Sequence, residues 1–500
     1  MESSIPAIVF GGMLIVTAAV MIGGHRRAWR KRLEEKSLEQ SDREHYFRQY
    51  RRRMQTSAML GLVGLLIVVG DWLIPWNQAA VWFPIDCGVV MMMTGVTCLL
   101  GVAAVLCLVI VHAALDAKAQ AADYVVVVSK QTKADAAWAK VVDALVAKHK
   151  ASVTVFEKSV DEALPALKAA HPKYVCFVAT PAEATRDFVM HVHRLTRQFD
   201  DDPYTDTFWG ILTAYDAADA LRIAKHAEPL TVRKVASGTE LAMEMVPEGI
   251  WYCELNKNKF VQKQKGDDAK VGTCETDTTK LLVDTLNDYR ADLFVTSGHA
   301  TERDWQIGYR YRNGYFKSDD GKLFGQDTQG KKHPIQSDNP KVYLPIGNCL
   351  MGHVDSTDAM ALAWMHSAGV HQMMGYTVLT WYGYAGWGCL DYFIEQPGRF
   401  TFTEAFFANQ HAMIHRLETC FPDNAKDTLS ANLRPTRRIT PSPRAAELKL
   451  TAQDGFGLLY DRDTVAFYGD PAWPARMAAP EAGTLAYEQT LTEKDGTIPI

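Results

Sequence analysis

Apolar side chains occur along the chain in two patterns, long runs before residue 112 and short runs after it. The three long runs cover residues 5–22, 57–74 and 88–111, and Asp71 is the one charged residue within them. A helix needs about 20 apolar residues to cross a bilayer. The pattern therefore predicts a membrane region over residues 1–121, with three spanning helices, or two if the first run does not span.

Basic residues indicate the orientation of this membrane region. They are frequent in residues 24–55, between the first two runs, and absent from residues 75–87, between the second and third. Because basic loops stay on the cytoplasmic side, residues 24–55 should lie in the cytoplasm. Everything after His112 then lies there too. We expect a multi-pass protein of the cell membrane, with the lipid bilayer as a partner and a cytoplasmic soluble domain.

The short apolar runs after residue 121 alternate with helical patterns. Strand signals occur at residues 124–129, 152–156, 174–178 and 207–213. Strands that alternate with helices predict an α/β fold with a parallel sheet covered by helices on both faces. We place an N-terminal α/β subdomain at residues 122–235, a second α/β domain at 236–476 and a tail at 477–500.

Charge and cysteine content exclude several classes of protein. The formal net charge of −5 gives no indication of nucleic-acid binding. The nine cysteines form no Cys-x-x-Cys pair, which argues against a disulfide framework and against a zinc ribbon. We therefore predict free thiols in the soluble part, no metal and no cofactor.

Two short apolar runs end in reactive side chains. Residues 291–298 lead to His299, and residues 341–348 lead to Cys349. Both runs predict buried strands that stop at a glycine. Ligands bind at the C-terminal edge of open α/β sheets. An imidazole there can remove the proton of a thiol and make it a nucleophile.

The segment between these two strands has a different composition. Residues 301–340 are rich in glycine, charge and aromatic side chains, and Asn313-Gly314 is flanked by aromatic residues. Asn-Gly between such residues is a strong signal for a tight hairpin. We predict a β-rich insertion that forms one wall of a cleft.

Four motifs in this region resemble those of gingipain-type cysteine peptidases, which belong to the broad clan of the caspases. Gly298-His-Ala-Thr-Glu-Arg-Asp-Trp305 resembles the family's Gly-His-Gly-x-Glu-x-x-Trp segment, and Asn348-Cys-Leu-Met-Gly352 its Ala-Cys-x-x-Gly segment. The strand and loop at residues 375–381 resemble those that end in a pocket-lining tryptophan. Residues 467–471 resemble the Phe-Gly-Asp-Pro signature at the end of the catalytic domain.

This resemblance implies a fold and an activity. The fold would be a caspase-like α/β/α sandwich with mainly parallel sheets, here preceded by two to three transmembrane helices. The activity would be that of a cysteine endopeptidase, with His299 and Cys349 as a catalytic dyad and an acyl-enzyme intermediate. Family members are usually secreted, whereas the apolar runs of this chain predict a membrane-anchored enzyme. Trp381 would line the substrate pocket. The substrate would be a peptide or a protein, and no cofactor is implied.

The chain also departs from the family pattern. Ala300 replaces the glycine after the histidine; its backbone N–H would form the oxyanion hole with that of Cys349, provided that φ is negative at Ala300. Glu240 is a candidate for orienting His299, and no residue matches the acid at the base of the family's pocket. The alternative is a catalytically inactive caspase-like scaffold or sensor tethered to the membrane. The sequence gives no indication of the oligomeric state.

Overall fold

The structure, a computed structural model, describes residues 123–479. The three predicted spans and nearly all of the predicted tail lie outside these residues. Within residues 123–479, no helix combines the length and the apolar character that crossing a membrane requires. The predicted location at the cell membrane and the predicted orientation stay predictions.

Eighteen strands lie in the described part of the chain, and most of them are short. They are β1 (Tyr124–Ser129), β2 (Ser152–Phe156), β3 (Tyr174–Val178), β4 (Phe208–Leu212), β5 (Leu230–Val232), β6 (Lys234–Ser237), β7 (Glu248–Tyr252), β8 (Lys259–Lys263), β9 (Lys270–Thr273), β10 (Leu293–Thr296), β11 (Asp304–Gln306), β12 (Tyr315–Asp319), β13 (Lys322–Gln326), β14 (Lys332–Pro334), β15 (Lys341–Pro345), β16 (Val370–Tyr376), β17 (Val465–Gly469) and β18 (Ala475–Met477).

Eleven α-helices connect these strands within residues 123–479. They are α1 (Lys130–Ala134), α2 (Ala136–His149), α3 (Leu164–Ala170), α4 (Arg186–Leu195), α5 (Ala217–Lys225), α6 (Thr279–Asn287), α7 (Met360–Ser367), α8 (Tyr384–Phe393), α9 (Phe402–Cys420), α10 (Pro443–Glu447) and α11 (Ala452–Thr464).

One sheet of twelve strands organises this part of the chain. Its order is β2-β1-β3-β4-β17-β16-β15-β10-β6-β7-β8-β9, so it continues on both sides of the predicted boundary near residue 235. Strands β1, β15 and β16 are buried along their whole length. Strands covered on both faces read as continuous apolar runs, which is why the sequence revealed them.

For the described residues, the predicted fold class, a caspase-like α/β/α sandwich with mainly parallel sheets, was wrong. The large sheet is mixed: β17 runs antiparallel to β16, and β8 runs antiparallel to both β7 and β9. Strands β11 to β14 form a second, wholly antiparallel sheet. Strands β8 and β9 are rich in lysine and only partly buried, so they produce no apolar run. An apolar run also does not reveal strand direction, as β17 shows.

The β-rich insertion was predicted correctly, but its tight turn was placed at the wrong residues. The two-residue turn lies at Asp320-Gly321, where both residues have positive φ, between β12 and β13. Asn313 is instead buried and fixes the loop before β12 to α6. Its Nδ2 donates to Thr278 Oγ1 at 3.0 Å, and its Oδ1 accepts from the Thr278 N–H at 3.2 Å.

The six cysteines of the described residues are free thiols, as the sequence predicted. Cys176, Cys253, Cys389 and Cys420 are buried, whereas Cys274 and Cys349 are partly exposed. Cys349 is thus one of two thiols in this part of the chain that solvent can reach.

Candidate active site

The strands that lead to His299 and Cys349 are neighbours in the large sheet. Strands β10 and β15 are parallel, and Thr296 pairs with Pro345 at their C-terminal ends. His299 follows three residues after Thr296, and Cys349 four residues after Pro345. Because parallel strands end at the same edge of a sheet, both loops leave the sheet side by side.

The side chain of Asn348 joins these two loops. Its Oδ1 accepts a hydrogen bond from Thr296 Oγ1 at 2.7 Å, and its Nδ2 donates to the Gly298 carbonyl oxygen at 3.2 Å. Asn348 is fully buried. A buried amide with both ends bonded has one orientation, so it fixes the residue before Cys349 against the residue before His299.

The loop around Cys349 has an unusual backbone. Leu350 has a φ of 57°, in the left-handed region that a branched residue rarely adopts. Its N–H donates to the Val378 carbonyl oxygen at 2.9 Å, which holds the loop against the segment after β16. From that segment, the Thr380 N–H points to Cys349 Sγ at an N···S distance of 3.2 Å. A backbone donor so placed stabilises negative charge on the sulfur.

His299 lies at the exposed end of its loop. Gly298 has a φ of +91°, which gives the chain the turn into the histidine. The imidazole packs against the ring of Tyr309, with 4.9 Å between ring centroids. Ala300 is not among the residues with positive φ, which meets the condition that the sequence set for its N–H.

Sequence reasoning missed Glu254, which follows β7. A Cβ placed on Gly298 would lie 3.4 Å from Glu254 Oε2, so this carboxylate lies beside the backbone before His299. The backbone carbonyl oxygen of Glu254 accepts a hydrogen bond from the Tyr309 N–H at 2.7 Å. Its carboxylate Oε1 accepts another from Thr239 Oγ1 at 2.8 Å. Burial raises the pKa of Glu254. The signal was available, because residues 249–254 are another apolar run that ends in a polar residue.

Glu240 follows β6, next to β10, but its carboxylate binds other groups. Its Oε1 accepts hydrogen bonds from Lys259 Nζ at 3.0 Å and from the Cys253 thiol at 3.3 Å. The bond from Lys259 lowers the pKa of Glu240. Within residues 123–479, no hydrogen bond joins Glu240 to His299.

Large apolar side chains are exposed around the same strand ends. Trp381 is 70% exposed and directly follows Thr380, whose N–H points to the thiol. Leu379 and Trp387 are also exposed, and a Cβ on Gly347 would lie 3.9 Å from the indole nitrogen of Trp387. The predicted role of Trp381 in the pocket stays a prediction, and its place beside Cys349 suits that role.

Helix α11 supports the loop that carries Thr380 and Trp381. The Tyr460 hydroxyl donates to the Leu379 carbonyl oxygen at 3.2 Å. Asp461 is fully buried, and its Oδ2 accepts from the Tyr376 hydroxyl at 3.0 Å and from the Ala385 N–H at 3.1 Å. These bonds hold both ends of the loop between β16 and α8, and burial raises the pKa of Asp461 to about 7.

One group of side chains among the described residues has the spacing that a metal ion requires. The carboxylate oxygens of Asp200, Asp202 and Asp206 lie within 4.8 Å of one another, at the protein surface. An exposed acidic cluster alone does not identify a metal site. These residues precede β4 and include neither His299 nor Cys349.

Comparison with known proteins adds little to this geometry. No family model matches the chain, and no curated protein matches it. A solved structure called "Structure of Protease" is similar to it at 11% sequence identity, over 71% of this chain and 79% of that chain, with a TM-score of 0.38. A TM-score this low assigns neither a fold nor an activity to this chain.

Proposed function

We propose that the chain is a cysteine-type endopeptidase in which Cys349 is the nucleophile and His299 the general acid and base. The observation that carries this proposal is the bridge made by Asn348 between the ends of two neighbouring parallel strands. It ties the backbone before the thiol to the backbone before the imidazole. Covalent catalysis requires a nucleophile and a base held close together, and the ends of adjacent strands provide such positions.

The reaction would proceed through an acyl-enzyme. His299 takes the thiol proton, and the Cys349 sulfur attacks the carbonyl carbon of the substrate, forming a C–S bond and an oxyanion. The C–N bond then breaks as the imidazolium gives its proton to the leaving amine. Water, deprotonated by His299, attacks the thioester, and the C–S bond breaks to release the acid and the thiol.

Two backbone donors are available for the oxyanion. Within residues 123–479, neither the Ala300 N–H nor the Cys349 N–H has a hydrogen-bond acceptor. Preorganised N–H groups without a partner can bind the charge that develops on the carbonyl oxygen. The lack of an acceptor for the Ala300 and Cys349 N–H groups supports a role for both in acyl transfer.

Labelling with a peptidyl electrophile tests the proposal. A peptidyl acyloxymethyl ketone should modify Cys349 stoichiometrically, and Cys349→Ser should abolish both the labelling and peptide cleavage. His299→Ala should slow the labelling by at least about a hundredfold, the scale of a lost general base. Cys274→Ser is the matched control. Cys274 is also partly exposed but should not be labelled selectively, so this variant should keep the labelling of Cys349.

The rival function is a non-catalytic scaffold. It requires that Cys349 react with the peptidyl electrophile no faster than Cys274 does, and that His299→Ala leave the rate unchanged. That outcome would reject the peptidase proposal.

A further inference from the structure

The loop of His299 continues into a small antiparallel platform. Ala300 bridges to Trp305, the Gln306 N–H donates to the His299 carbonyl oxygen at 2.9 Å, and the Thr301 N–H donates to the Asp304 carbonyl oxygen at 2.8 Å. Strand β11 then pairs with β12. Residues 299–301, β11 and β12 are thus three adjacent extended segments.

The register arranges the side chains of this platform in rows across the three segments. Gln306 pairs with Tyr315, and Asp304 with Lys317. His299 lies opposite Gln306, and Thr301 opposite Asp304, on either side of the Ala300–Trp305 bridge. One row is therefore His299, Gln306 and Tyr315, and the next is Thr301, Asp304 and Lys317.

The opposite face of the platform is anchored in the core. Trp305 and Phe316 are both fully buried, and their rings pack edge to face with 5.2 Å between centroids. The Trp305 indole donates to the Ser297 carbonyl oxygen at 2.7 Å. Because side chains alternate between the faces of a strand, this anchoring directs the polar rows away from the core.

The polar rows line a cavity of about 530 Å³, and Ala300 lies on its wall. His299 is one of the lining residues, whereas Cys349 is not. The cavity therefore lies on the imidazole side of the candidate dyad. Its charged groups are Asp304 and Lys317, which are cross-strand partners.

We propose that this platform binds the part of a polypeptide substrate that leaves with the amine. The inference rests on the proposed function, because the general acid that protonates the leaving nitrogen must stand on the leaving-group side of the scissile bond. A site that touches the imidazole and not the sulfur lies on that side. The opposite charges of Asp304 and Lys317 suit polar or charged side chains, so the substrates are peptides with polar residues after the cleaved bond.

Two substrates with the same acyl part test this assignment in the full chain. One carries only aminomethylcoumarin as its leaving group, and the other continues into a polar peptide of several residues. Asp304→Ala combined with Lys317→Ala should lower the ratio of kcat/KM for the long substrate to that for the short one by about tenfold, the scale of one lost hydrogen bond to a charged group.

Charge reversal gives a second readout. Lys317→Glu should raise the preference for basic residues after the cleaved bond, and Asp304→Lys should raise the preference for acidic ones. The matched control is Asp319→Ala combined with Lys322→Ala. Asp319 and Lys322 are also cross-strand partners of opposite charge, but they lie at the exposed turn of the same insertion and do not line the cavity.

The outcomes separate this inference from the function on which it rests. If the ratio does not change in the cavity variant, or changes as much in the Asp319 and Lys322 control, the platform does not bind the leaving group. If neither substrate is cleaved and Cys349 resists the peptidyl electrophile, the peptidase function itself fails.

Discussion

The side-chain amide of Asn348 donates a hydrogen bond to the carbonyl oxygen of Gly298 across 3.2 Å. Asn348 directly precedes Cys349, and Gly298 directly precedes His299. This contact joins the two loops of the candidate dyad above the sheet. The relative position of sulfur and imidazole therefore depends on a residue that takes no part in the chemistry.

Asn348→Asp should reduce activity. An aspartate can still accept from Thr296 Oγ1, but it cannot donate to the Gly298 oxygen, and the two oxygens then repel each other. We expect kcat/KM to fall at least about tenfold, the scale of one lost buried hydrogen bond. Steady-state kinetics with a peptide substrate measures this effect.

Asn287→Asp is the control for that variant. The Asn287 amide also donates to a backbone carbonyl oxygen, that of Pro334 at 2.9 Å, but it is partly exposed and precedes β10, whereas His299 follows β10. It should leave kcat/KM unchanged. Equal losses in both variants would mean that Asn348 has no special role between the loops.

Asp461→Asn should change the pH dependence of stability. Burial raises the pKa of Asp461 from 3.8 to about 7, so the folded state holds this proton more tightly than the unfolded state. The wild-type protein should therefore lose free energy of unfolding, relative to the variant, as the pH rises from 4 to 7, by at most about 4 kcal/mol. Above pH 7 the difference should stay constant.

Urea unfolding at pH 4, 5.5, 7 and 8 measures that difference. The asparagine keeps an acceptor for Tyr376 and Ala385, and its Nδ2 replaces Oδ1, which has no hydrogen-bond partner among residues 123–479. A difference that is independent of pH would show that Asp461 does not titrate in this range.

The sequence revealed the fully buried strands and the two reactive side chains at their ends. Strands β10 and β15 are continuous apolar runs, and each stops at a glycine next to His299 or near Cys349. It could not reveal the polar strands β8 and β9, because their residues are only partly buried and carry lysine. Pairing and direction depend on tertiary contacts that a local pattern does not contain.

The supporting residues of the site were hidden for a related reason. Asn348 and Glu254 act through side-chain hydrogen bonds across the ends of different strands, and no spacing in the sequence predicts such contacts. The family resemblance makes Glu240 a candidate for orienting His299, yet its carboxylate binds Lys259. Only the hydrogen-bond partners of the two side chains in the structure distinguish Glu254 from Glu240.

Gly352→Ala should destabilise the protein and displace the cysteine loop. A Cβ on Gly352 would lie 2.3 Å from the Gly375 carbonyl oxygen, so the loop after Cys349 and strand β16 must separate. Overpacking of this kind costs about 1 to 3 kcal/mol, measurable by urea unfolding. The control is Gly330→Asn, since a Cβ there meets no atom within 4 Å and asparagine tolerates positive φ.

Glu254→Gln and Glu240→Gln should change the pH dependence of the free energy of unfolding in opposite directions. Burial raises the pKa of Glu254, so stability from its protonated form is present at low pH and is lost as the pH rises through the folded pKa. The Lys259 hydrogen bond lowers the pKa of Glu240, so its contribution is present above the unfolded pKa and is lost as the pH falls through the folded one.

Activity then shows which carboxylate supports His299. The Glu254 carboxylate lies beside the Gly298 backbone and accepts a hydrogen bond from Thr239 Oγ1, so Glu254→Gln should lower kcat/KM at neutral pH. Glu240 is exposed and bonded to Lys259 and Cys253, so Glu240→Gln should change kcat/KM much less. A larger loss in Glu240→Gln would overturn this ranking and favour Glu240 as the residue that orients His299.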